Sequence, residues 1–262
     1  ILGGSWIMRK FIVTILALSA MLSALVVAAQ ERPEDIWPKA NDAYSLGEWK
    51  RALELYESIE NKGVVSERLY YNMGNTHYKM GDNARAILYY ERALKLNPAN
   101  KDAENNIKIA QIHTLDKIEV LPEFVLVTWV RNMRDSLSSN SWAVAGLVLL
   151  VAVLVLLLLY RFAGSMGFRK FSFVAAILAF LLMAGAFAFS WSMRNNATDN
   201  SYAIVVSAVS NIKSSPDANG NNLFILHNGT KVEVLENVGR WMKIELADGR
   251  QGWIDSSTVE II

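Results

Sequence analysis

Two stretches without a single charged side chain, residues 142–160 and 173–191, decide most of what this chain can become. At a rise of about 1.5 Å per residue, each makes a helix just long enough to cross a hydrocarbon core of roughly 30 Å. Trp142, Tyr160 and Trp191 stand at the ends of these runs, where amphipathic rings prefer the headgroup level. Hydrophobic residues make up 52% of the 262, more than one soluble globule carries. The excess is concentrated in these two runs and in a third at 11–29. The expectation is a multidomain membrane protein built around a two-helix transmembrane hairpin.

Orientation follows from two separate signals. Met8, Arg9 and Lys10 precede the apolar run 11–29, which closes on Val27, Ala28 and Ala29 before Gln30. That is the layout of a secretory signal peptide at 8–29, with the residues before Met8 read as upstream of the start; cleavage would begin the mature chain at Gln30, and an uncleaved anchor is the alternative. The loop 161–172 between the spans carries Arg161, Arg169 and Lys170 and no acidic residue, which the positive-inside rule assigns to the cytoplasm. Both flanks then lie outside. The expected place is a bacterial inner membrane, with the regions before and after the hairpin in the periplasm.

Ahead of the spans, Gly47, Ala52 and Tyr56 recur 34 residues later as Gly81, Ala86 and Tyr90. That period belongs to helix-turn-helix repeats. Residues 67–100 carry Tyr70, Met73, Gly74, Tyr78, Gly81, Ala86, Tyr90, Ala93 and Pro98, and so resemble a tetratricopeptide repeat (TPR). The unit at 33–66 keeps Ile36, Ala40, Tyr44, Gly47, Trp49, Ala52 and Tyr56 but lacks the closing proline. Residues 101–113, with Ala103, Ile107 and Ala110 at helical spacing, read as a capping helix that completes an all-α repeat domain at 33–113. The TPR resemblance implies a concave face that takes peptide or protein partners. On this chain that face comprises Trp37, Asn41 and Tyr44, then Arg68, Tyr71, Asn75, Tyr78 and Lys79. Asn41 and Asn75 fall at equivalent positions, where paired amides suit the backbone of an extended peptide; partial packing of the aromatics is the alternative.

Between cap and first span, 121–139 sets Phe124, Leu126, Trp129, Val130, Met133 and Leu137 among Arg131, Arg134 and Asp135. This pattern suits an amphipathic helix lying in the bilayer interface or, equally, one packed on the repeat cap. Beyond the spans, 195–201 is polar and reads as a flexible tether. Short β runs follow at 203–207, 223–226, 231–235, 241–246, 251–254 and 259–262, with turn signals at Asn228-Gly229 and Asp248-Gly249. Asn211 to Pro216, Gly229 to Leu235, Gly239 to Ile244 and Asp248 to Ile254 keep the order and spacing of bacterial SH3 domains. The resemblance implies a small all-β SH3-like barrel at 202–262, a class that binds proteins or cell-wall peptides. Trp241 and Trp253 are its candidate ligand face, with core or rim packing as the alternative.

A formal net charge of +1, from 26 basic and 25 acidic residues, gives no field toward nucleic acid. The chain has no cysteine, and its three histidines, His77, His113 and His227, fall in separate modules without metal or nucleophile spacing. No phosphate-cradling glycine loop appears. No metal, cofactor or catalytic residue is expected. The order of modules from Met8 to Ile262 resembles the BatE-type protein of bacterial aerotolerance operons. That resemblance implies, as partners, membrane-anchored von Willebrand factor A domain proteins and a BatD-type protein of the same operon, beside the lipid bilayer. The expected function is a non-catalytic scaffold, with a peptidoglycan-binding envelope sensor as the alternative.

Overall fold

A computed structural model describes residues 32–118 and 124–262. The signal segment expected at 8–29 lies outside the described residues, as do Leu121 and Pro122 at the start of the expected interfacial helix. The described chain forms two compact bodies divided between Val64 and Val65.

In the first body, helix α1 (Pro33–Ser45) packs on α2 (Trp49–Glu60). Pro33 opens α1 at a position where its missing N–H costs nothing. Ile36, Ala40 and Ala43 make one face of α1 and are buried, as are Ala52, Tyr56 and Ile59 on α2.

The second body begins with α3 (Glu67–Lys79), α4 (Asn83–Leu96) and α5 (Lys101–Gln111). Ser66, Asp82 and Asn100 cap their N-termini by accepting from Leu69, Arg85 and Ala103 N–H groups. Helices α1, α3 and α5 start 34 residues apart, so the cap occupies the place of the first helix of a further unit. Gly47 and Gly81 turn the chain within each unit at φ of 79° and 82°, a region other residues avoid. Gly74 has a different duty. A Cβ there would lie 2.6 Å from the ring of Tyr90, which is fully buried among Ala86, Ala93, Ala103 and Ile107.

Helix α6 (Val125–Asp135) buries none of its residues. It leads into α7 (Ser139–Phe162) and α8 (Met166–Ala197), both long and apolar enough to cross a membrane and both mostly exposed in the structure, unlike the core helices of a soluble protein. The indole N–H of Trp142 donates to the carbonyl of Arg134 at 2.7 Å, tying α6 to α7. Ser139 and Ser190 each donate a hydroxyl to the other's carbonyl at 3.0 Å. Gly146 faces the Phe187 ring with no room for a Cβ. The loop expected at 161–172 is far shorter: only Ala163, Gly164 and Ser165 separate the helices, and Arg169 and Lys170 lie on α8. Nothing in Met166 to Ser172 stops a helix, and Ser165 caps it by accepting from Phe168 N–H. For the same reason α8 runs on through Asn195 and Asn196, where a flexible tether was expected.

The C-terminal part is one antiparallel sheet of seven strands: β1 (Tyr202–Val205), β2 (Val209–Lys213), β3 (Asn222–His227), β4 (Lys231–Val238), β5 (Trp241–Glu245), β6 (Gln251–Asp255) and β7 (Val259–Ile261). Their order is β3-β2-β6-β5-β4-β1-β7. Val205, Ile212, Leu226, Val232, Ile244, Ile254 and Val259, one from each strand, share a single buried cluster, so the sheet curves around its own core as an SH3-like domain does. Strand β2 is additional to the runs expected from sequence. Ser210 and Asn211 lower its strand propensity, and only Ile212 and Ser210 face inward.

Gly74→Ala is expected to destabilise the repeat by about 1–3 kcal/mol, the usual cost of overpacking. Gly185→Ala, where a Cβ meets nothing within 4 Å, should leave stability unchanged. Thermal unfolding of the two variants in detergent provides the comparison.

Candidate functional site

The expected groove residues occupy two bodies. In the first, Trp37 is half-buried with its ring 6.0 Å from Tyr56, and Tyr44 stands edge-on to Trp49 at 5.0 Å. The side-chain oxygen of Asn41 accepts from Tyr56 Oη at 2.8 Å. In the second body the same relation recurs, with Asn75 Oδ1 accepting from Tyr90 Oη at 2.7 Å. Asn75 also accepts from Asn106 Nδ2 at 3.0 Å, and that amide lies 3.4 Å from the hydroxyls of Tyr71 and Tyr90. The rings of Tyr71 and Tyr90 are tilted against each other at 5.9 Å. Tyr71, Asn75, Tyr90 and Asn106 thus form one polar cluster across α3, α4 and α5. Arg68 and Lys79 project to solvent on α3. Tyr78 is half-buried and packs against two buried clusters, one that holds Tyr90 and one that holds Ile87. Asn106 and Tyr90 were not among the sequence candidates, although the 34-residue period relates Asn106 to Asn72 of α3.

The β-module is fastened to this repeat. Ile87, Leu88 and Ala110 of α4 and α5 share a buried cluster with Ile204 and Ile262. Around it run polar contacts from three turns of α4. Arg92 donates Nη2–H to the Ile261 carbonyl at 2.7 Å, with its guanidinium over the rings of Tyr70 and Tyr89. Lys95 Nζ donates to the Ile262 backbone oxygen at 2.6 Å, and Arg85 pairs with Glu260 at 3.2 Å. On the far side, Glu91 of α4 takes the Lys231 ammonium at 2.7 Å.

The segment after α5 adds a clasp. Asp116 Oδ2 accepts from His227 N–H and from Thr230 Oγ1, both at 2.7 Å, and Asp116 Oδ1 meets His227 Nδ1 at 2.8 Å. Burial pushes this carboxyl up, but the His227 N–H, the His227 ring and the Thr230 hydroxyl outweigh it and hold the acid below its ordinary 3.8. The clasp closes on the β3–β4 turn, where Gly229 has φ 89° and a Cβ would come 2.6 Å from Thr114 Cγ2. Only glycine meets both requirements.

Trp241 and Trp253, the expected ligand face, lie on the outer side of the sheet, alternating with the buried Ile244 and Ile254. Trp253 stands between Lys243 and Lys213 in register, and Arg240 lies 5.7 Å from the Trp241 ring. The exposed Leu223 and Ile225 of β3 alternate with core-facing neighbours at the sheet edge.

Residues 67–100 match the tetratricopeptide repeat family, and residues 207–260 match the bacterial SH3 domain family. The chain is also similar to Photosystem I assembly protein Ycf3 of Rippkaea orientalis (strain PCC 8801 / RF-1), with 30% identity over 90 residues, 32% of this chain and 52% of that protein. The chain therefore spans about half the length of this curated relative. Modules of both matched kinds ordinarily bind proteins or cell wall and do not catalyse.

Asp116→Ala strips the acceptor from the His227 N–H and the Thr230 hydroxyl. Hydrogen bonds to a charged group contribute about 1.5–3 kcal/mol, so amide exchange at His227 is expected to accelerate at least about tenfold while Ile244 stays protected. Because the carboxyl is depressed in the fold, its contribution is complete above its unfolded value near 3.8 and lost as pH falls through the lower folded value. The stability gap between wild type and Asp116→Ala should accordingly narrow below about pH 4, read by unfolding as a function of pH.

Proposed function

We propose that this protein is a non-catalytic adaptor of a bacterial inner membrane, which holds envelope proteins on a single platform made of its repeat and its SH3-like module. The observation that carries the reading is the attachment of the β-module to α4, α5 and Asp116. Two separately tethered binders would gain from effective concentration alone. A docked pair instead presents its two faces in fixed register, which suits assembly of a partner that touches both.

Two long apolar helices hold the platform to the bilayer, with α7 leaving and α8 returning on the platform's side. The basic end of the hairpin, Arg161, Arg169 and Lys170, favours the cytoplasm, which supports a periplasmic platform. The likeness to a protein named for assembling photosystem I is in keeping with an assembly or adaptor role. The resemblance to BatE-type proteins supplies the partners proposed here: membrane-anchored von Willebrand factor A domain proteins and a BatD-type protein, acting in oxygen or stress tolerance. Arg68, Tyr71 and Lys79 are the proposed groove contacts in the second body. Asn75 is assigned to hold Tyr71 and Tyr90 in place through Asn106, on the strength of the hydrogen bonds it accepts.

A second reading has its own observation. Trp241 and Trp253 share the outer face of the sheet with Lys213, Lys243, Glu245 and Asp255, an aromatic surface of mixed charge suited to cell-wall peptide. A photoreactive amino acid at position 68, in full-length protein in its membrane, should crosslink to a von Willebrand factor A domain protein, and Tyr71→Ala should reduce that product several-fold. Crosslinks from position 253 to wall peptide, with none from position 68 to protein, would instead establish the wall-binding sensor.

A further inference from the structure

No aspartate or glutamate occurs between Asp135 and Asp199, so the hairpin carries no negative side chain of its own. Its turn nevertheless gathers three cations. Arg161 follows the uncharged run of α7, and Arg169 and Lys170 stand in the first turns of α8. Arg169 reaches back across the turn, its Nε–H donating to the Ala163 carbonyl at 2.9 Å, and so comes beside the end of α7 that holds Arg161. All three are exposed, and none makes an ion pair among the described residues. Helix α7 has 24 residues and rises about 36 Å. The carboxylates at its far end, Asp135 and Asp199, are thus well beyond a screening length of about 8 Å from the turn.

Two rings set the depth of these charges in a bilayer. Tyr160, which ends one uncharged run, and Phe173, which opens the other, lie 5.4 Å apart across the hairpin and mark where the hydrocarbon begins. Arg161 is the next residue of α7. Lys170 and Arg169 precede Phe173 by three and four residues, a rise of about 4.5–6 Å along α8. The headgroup layer is about 5–8 Å deep on each side of a bilayer. All three charges therefore fall within that layer and not beyond it. Phe162, Met166 and Phe171, each exposed, interleave with them and give the same surface an apolar share. A guanidinium fork matches the oxygens of a phosphate, and an ammonium meets them as a point charge.

We propose that the turn of the hairpin binds the phosphates of anionic phospholipids in the adjoining leaflet, with Arg161, Arg169 and Lys170 as its contacts. The proposal rests on α7 and α8 crossing a membrane. An anionic headgroup supplies the counter-charge that no residue of the hairpin offers. A zwitterionic lipid brings its own ammonium to the same place and is disfavoured. A second copy of the turn would add three like charges, and an acidic segment of a soluble protein would have to enter the headgroup layer to reach them. Each cation at an anionic surface is worth about fivefold in affinity, and the effect is weakened by salt.

The test uses the full chain purified in detergent, titrated with phosphatidylglycerol or with phosphatidylethanolamine of the same acyl chains, and counts bound lipid by native mass spectrometry. Phosphatidylglycerol is expected to be retained about tenfold more strongly or better. Arg161→Gln, Arg169→Gln and Lys170→Gln together should remove that preference. Arg161→Lys with Arg169→Lys, which keeps the charge, and Arg194→Gln, at the opposite end of the hairpin, should retain it. Equal retention of the two lipids by wild type overturns the proposal, as does an unchanged preference in the triple variant. A photoreactive amino acid at position 168, in cell membranes, should give lipid adducts, and capture of an acidic protein there in their place also overturns it. Alkaline extraction of cell membranes checks the spans independently: protein that stays in the pellet yet shows no lipid preference refutes the lipid site while leaving the membrane reading intact.

Discussion

The arrangement of the second body depends on one carboxylate. Asp116 gathers an amide N–H, an imidazole and a hydroxyl from residues more than 110 positions away in sequence, in a setting only partly open to water. Charge-assisted bonds of this kind outlast neutral ones because each donor faces a full negative charge. They hold the chain leaving α5 against the β3–β4 turn, and this brings Ile204 and Ile262 down onto Ile87 and Leu88. Apolar burial supplies the bulk of the attraction, which has no direction of its own. The carboxylate and the arginines of α4 supply direction, so the two modules meet in one register and not in many.

That register shapes the chemistry around it. The same helix, α4, gives Tyr90 to the polar cluster of the repeat, Arg92 and Lys95 to the β-module, and Glu91 to Lys231. Successive residues of one helix point about 100° apart, and a fourteen-residue helix therefore serves the groove and the module at once. A change in its rotation would be felt at both.

Much of this was legible in the sequence, for identifiable reasons. Gly47 and Gly81 mark a period because a turn between antiparallel helices needs positive φ, and Gly74 marks it because Tyr90 must lie against the backbone. The spans were legible because nineteen uncharged residues have few other fates. Helix ends were less so: no residue between Met166 and Ser172 forbids a helix, and none requires one, so continuation is decided by packing in the hairpin. Strand β2 escaped notice because half of it is polar and outward. The clasp and the bonds from Arg92 and Lys95 have no local signature at all. Asp116 sits in an unremarkable polar stretch, and its partners are chosen by the tertiary fold. Asn75 shows the same limit within the repeat, since its sequence position marks it as a polar groove residue while its accepted bonds come from Tyr90 and from Asn106 on the next helix but one.

The unbroken course of α8 has a mechanical consequence. The helix leaves the apolar stretch at Trp191 and stays helical to Ala197, and only four residues separate its end from β1. Six helical residues rise about 9 Å, so the platform stands on a short stiff post with almost no slack. With the hairpin in a bilayer as proposed, a tilt of α7 and α8 would be passed upward, with little loss, as a tilt of the docked repeat and β-module.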